Sequence, residues 1–111
     1  MTYKEVGQMV KSIGYPFAYY QFTKDTAKKP PFVCYFYTDT NDVLADNINY
    51  QRIVTLNIEL YTRDKDFDAE LRVEKVLRDN ELSYYKEENY IESEQVYQIA
   101  YEMEVLINEQ G

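Results

Sequence analysis

The chain has 111 residues, a length that fits one domain with a single modest core and leaves little for a second lobe. Its 20 acidic residues outnumber 12 basic ones, and a net charge of −8 repels both a phosphate backbone and an anionic membrane surface. With one cysteine (Cys34) and no histidine, the usual zinc ligand sets, an internal disulfide and the commonest general base of enzymes are all missing from the chain.

The first predicted element is a helix over "TYKEVGQMVKSIG". Tyr3, Val6, Val10 and Ile13 form one apolar stripe, Thr2 and Glu5 have the spacing of a capping box, and Gly14 stands where a helix stops. "PFAYYQF" (Pro16 to Phe22) reads as strand 1, and "TKDTAKKPP" as a polar loop closed by two prolines. "FVCYFYT" (Phe32 to Thr38) is apolar on both faces, so it is expected to be a central strand. A polar excursion, "TDTNDVLADNINYQR", follows. In "RIVTLNIELYTRD", Val54, Leu56, Ile58 and Leu60 alternate with Thr55, Asn57 and Glu59, the pattern of a strand with one face on a core.

Asp66 can cap a second helix, "DFDAELRVEKVLRDN", whose predicted apolar arc is Phe67, Leu71, Val73, Val76 and Leu77. "LSYYKEENYI" is polar enough to be an edge strand. In "EQVYQIAYEMEVLI", Tyr97, Ile99, Tyr101, Met103, Val105 and Ile107 share one face. The order α-β-β-β-α-β-β with short connections predicts an α+β domain: a single, mostly antiparallel sheet with both helices on one face. No apolar run approaches the roughly 20 residues of a membrane span. The first residues hold no long apolar segment with a cleavage-like site, so no secretion signal is expected.

Chemistry-bearing patterns are few. Gly7, Gly14 and Gly111 do not form a phosphate loop, and Cys34 in "FVCYF" reads as a buried structural thiol. Asp39, Asp42 and Asp46 lack the turn glycine and terminal glutamate of a calcium loop. Glu87, Glu88, Glu92 and Glu94 read as charges guarding a strand edge. Lys24, Lys28 and Lys29 make the one compact basic spot. No cofactor, metal or catalytic residue is expected, and the chain reads as a non-enzyme. Its 13 tyrosines suit half-buried sheet faces and protein contact surfaces alike.

The strings "ADN" in the polar excursion, "IELYTRDKDFDAELRVEKVL", and "YKEENYIESEQVYQIAYE" carry a resemblance. Over roughly Phe32 to Val105 the chain resembles the small tail-terminator, or tail-to-head joining, proteins of long-tailed bacteriophages of the siphovirus type, including prophages. The resemblance implies a sheet flanked by helices and a structural virion role. A ring, six subunits by the family's pattern, would cap the tail tube, stop its polymerisation and offer a surface to head–tail connector proteins. It also implies assembly in the bacterial host cytoplasm and residence in the virion. Another connector or adaptor component is the alternative within such particles, and a small intracellular binding domain the alternative outside them.

Under this reading Thr38 to Gln51 projects from the sheet toward a neighbouring subunit or the tail tube, since a long polar connection in a compact domain is seldom without a use. Val43, Leu44, Ile48 and Tyr50 are the expected apolar anchors, and Asp42, Asp46 and Asn47 the polar ones.

Overall fold

The structure, a computed structural model, describes residues 1–21, 29–43 and 51–108, with residues 40–43 and 51 described by backbone alone. The elements are α1 (Tyr3–Ser12), β1 (Phe17–Tyr19), β2 (Phe32–Val43), β3 (Gln51–Thr62), α2 (Phe67–Asp79), β4 (Tyr85–Ile91) and β5 (Val96–Asn108). The strands form one sheet in the order β1-β2-β3-β5-β4. This is the α+β architecture that the sequence predicts, with β2 internal and β4 at an edge.

Helix α1 starts where its polar residues predict. The Glu5 amide donates to Thr2 Oγ1 at 3.1 Å, and the Thr2 amide donates back to the Glu5 carboxylate at 3.0 Å. Two otherwise unpaired amides are thereby satisfied. The helix ends at Gly14, whose φ of 95° is strained for any residue with a Cβ. Thr2→Ala is expected to cost about 1 kcal/mol, read as a lower urea midpoint at unchanged slope.

Alternation on β3 and β5 puts Val54, Leu56, Ile58 and Leu60 opposite Val105, Met103, Tyr101 and Ile99, all buried on one face. Val6, Val10 and Ile13 of α1 and Ala69, Val73 and Leu77 of α2 close over them as one core. Both helices therefore lie on the same side of the sheet, and no described helix or strand packs on the other.

Four details differ from expectation. Strand 1 is only Phe17–Tyr19, because Tyr20 turns into the left-handed region at φ 72°. It pairs with β2 in parallel, the one departure from antiparallel pairing. The long connection over residues 20–31 permits the return that a parallel pair requires.

Strand β2 does not stop at Thr38: pairing runs on to Val43↔Gln51, so half of the predicted excursion is strand. The register shifts between Tyr37 and Thr40, where one extra residue of β2 is accommodated and the Asn57 amide donates to Thr38 Oγ1 at 3.1 Å. Finally, α2 buries Ala69, Glu70, Val73 and Leu77, while Phe67 and Leu71 of the predicted arc are 68% and 58% exposed.

Candidate functional site

Of the predicted contact residues, Asp42 and Val43 occupy the last two rungs of the β2–β3 hairpin, at the register positions opposite Arg52 and Gln51. Leu44, Asp46, Asn47, Ile48 and Tyr50 lie outside the described residues. The hairpin outruns its neighbour: β1 pairs only with Val33, Cys34 and Tyr35. Among the described residues, no strand pairs with Phe36–Val43 on the side away from β3. Such a strand edge displays backbone donors and acceptors that suit contact with another chain.

The sheet face away from the helices is the second surface. Its β4–β5 half carries Tyr85, Glu87, Glu102 and Glu104, all exposed. In the ladder Tyr85 stands opposite Glu102 and Glu87 opposite Ala100, so the carboxylates crowd into adjacent rungs. Among the described residues, no lysine or arginine stands on this face of the five strands. A shallow cavity of about 710 Å³ opens beside it, lined by residues of the α2–β4 turn together with Thr55, Glu102 and Glu104. Toward β2 the same face carries the Phe32–Tyr61 stack, with ring centroids 4.9 Å apart.

A third feature lies on the helix side, where Tyr3, Tyr19, Tyr35 and Tyr37 line a cleft of about 410 Å³. The rings of Tyr3 and Tyr37 meet edge to face at 5.2 Å. The Tyr37 hydroxyl is buried without a hydrogen-bond partner among the described residues, and burial pushes its pKa up, with Tyr35, Tyr3 and Tyr19 adding to the effect.

The charged cluster between α2 and β4 was invisible in the sequence. Glu70, only 2% exposed, receives the ammoniums of Lys65 at 2.6 Å and Lys86 at 2.8 Å. Lys86 also reaches Glu74 at 2.8 Å, Tyr101 donates its hydroxyl to Glu74 at 2.7 Å, and Lys65 additionally pairs with Glu88. Burial alone pushes the Glu70 carboxyl up, but the two lysines outweigh it and hold it below the usual range; Lys86 and Tyr101 do the same for Glu74.

Lys86 and Glu88 thus face the helix layer, and the exposed edge of β4 carries inward charge, which discourages edge-to-edge pairing. This cluster is a structural tie. Among the described residues, no group of three His, Cys, Asp or Glu is placed to hold a metal, and Cys34 is buried. Nor is any described helix long and apolar enough to cross a membrane.

No family model matches the chain, and neither does any curated protein.

Proposed function

We propose that the protein is a structural subunit of the head-proximal end of a long phage tail, a terminator that rings the tail tube and receives the head–tail connector. The observation that carries this reading is the β2–β3 hairpin. Its final rungs, Asp42↔Arg52 and Val43↔Gln51, lead into the "ADN" segment on which the resemblance rests in part. A hairpin that outruns its sheet neighbour, and a sheet face left without a helix, are what a subunit bonded to several neighbours needs. Its partners in this reading are copies of itself in a six-membered ring, the tail tube protein and connector proteins. The work is binding, with no nucleic acid, membrane or catalysis involved.

Electron microscopy of lysates after disruption of the gene in its phage or prophage tests this. The expected result is filled heads beside detached tails of uncontrolled length. Detached tails of normal length would move the assignment to a joining or connector component. Intact virions would overturn it. A small binding domain would then lead, a reading that the Tyr3–Tyr19–Tyr35–Tyr37 cleft favours.

A further inference from the structure

We propose that two copies of this chain associate head to tail, the outer stripe of α2 on one copy seating on the acidic β4–β5 face of the next. The stripe belongs to the side of α2 that the core leaves out, where Asp68, Arg72 and Asp79 are exposed as well. Phe67, Leu71, Lys75 and Arg78 follow one another at spacings of four, four and three residues and so line a single side of the helix. All four are exposed.

Phe67, with the Lys65 ammonium 4.8 Å over one face of its ring, and Leu71 leave apolar surface exposed at one end of an amphipathic helix, and two cations beyond them define the chemistry of a cover. The β4–β5 face answers on both counts. Tyr85, 83% exposed, and Leu106, 41% exposed, supply apolar contact. Glu87, Glu102 and Glu104 supply negative charge, and among the described residues no lysine or arginine of that face compensates it.

Local ion pairs do not stand in the way. Lys75 is bound to Asp79 at 2.7 Å, but both side chains are more than half exposed, and such a surface pair contributes little and exchanges readily. The like charges on the sheet face repel one another in the free chain, and a cationic stripe removes that repulsion on docking.

The geometry makes the contact heterologous. The helices sit on one side of the sheet, so the α2 stripe and the open face look in opposite directions, and one copy cannot satisfy its own. Each copy then offers one free surface of either kind, and repetition closes a ring where the rotation permits. This deepens the assembly reading above and rests on it only for closure of the ring on a tail.

The test is charge exchange on the full chain, with mass read by light scattering and native mass spectrometry and folding checked by circular dichroism. The wild-type chain is expected to gain mass with concentration. E102K/E104K and K75E/R78E should each weaken association by at least about tenfold. Their 1:1 mixture, and the chain carrying all four changes, should associate again, because each restores opposite charges across the contact.

A wild-type chain that stays monomeric at the highest attainable concentration would overturn the proposal. So would assemblies indifferent to either swap, or swaps that are not rescued by the mixture. A ring that survives the swaps would remove this contact and leave the tail-end role standing. Normal virions after gene disruption would remove that role, while charge rescue would still uphold the contact.

Discussion

Replacing Lys65 and Lys86 together by methionine is expected to lower stability near neutral pH by about 3–5 kcal/mol, because it leaves a buried carboxylate without a counter-ion. In the native chain Glu70 and Glu74 titrate below their ordinary value of 4.5. The stability they contribute is therefore present above that value and is lost as pH falls through the depressed one. Lys65 and Lys86 titrate above their ordinary 10.5, so their share is present below that value and is lost only as pH rises through the raised one. From these four groups stability should be level between these limits, while the tyrosines that burial raises above their ordinary 10.0, Tyr61 and Tyr101 among them, begin to remove stability as pH passes that value.

In the double variant the sign at the acid end reverses. With both ammoniums gone, burial alone acts on Glu70 and raises its folded pKa above the unfolded value, so protonation relieves the penalty. Over the upper part of the acid range, stability of the variant should rise as pH falls, where that of the native chain does not. Urea midpoints measured between about pH 3 and 8 check this. Parallel pH profiles for the two proteins would show that Glu70 is not held by these lysines.

Leu56→Ala is expected to cost about 3 kcal/mol and lower the melting temperature by roughly 10 °C or more. Leu56 is fully buried near the middle of β3, between Tyr37 on one side of the ladder and Met103 on the other. The strands around it are fixed by hydrogen bonds and cannot collapse to fill the hole. Phe67→Ala and Leu71→Ala, on the exposed stripe of α2, are the contrast. Each should change stability by no more than about 0.5 kcal/mol while weakening self-association. Thermal melts and light scattering on the same samples separate the two effects. A large stability loss at Leu71 would place it in the core and end its role in docking.

The elements were legible because their signals are local. The Thr2–Glu5 capping box, the alternation from Val54 to Leu60 and the terminal position of Asp66 each depend on a few neighbouring residues, and each stands where the sequence puts it. The edge position of β4 was also legible, because only an edge strand accommodates "YKEENYI" without burying unpaired charge.

The rest depended on which elements met. Six apolar residues of α2 compete for its core face, and the helix shows the sheet only one side. The docking angle chose Ala69 and Glu70 over Phe67 and Leu71, a choice that helical periodicity cannot make. Glu70 is tolerated there only because Lys86 arrives from a strand distant in sequence and Lys65 from the preceding turn. The extension of β2 through "TDTNDV" was hidden for a related reason. Asp39, Asn41 and Asp42 have poor strand propensity, and the strand extends because, past the register shift, β3 supplies partners again from Thr40↔Val54 to Val43↔Gln51. Sequence alone determined what could form a helix or a strand; tertiary structure decided which faces were covered, since burial is a property of pairs of surfaces.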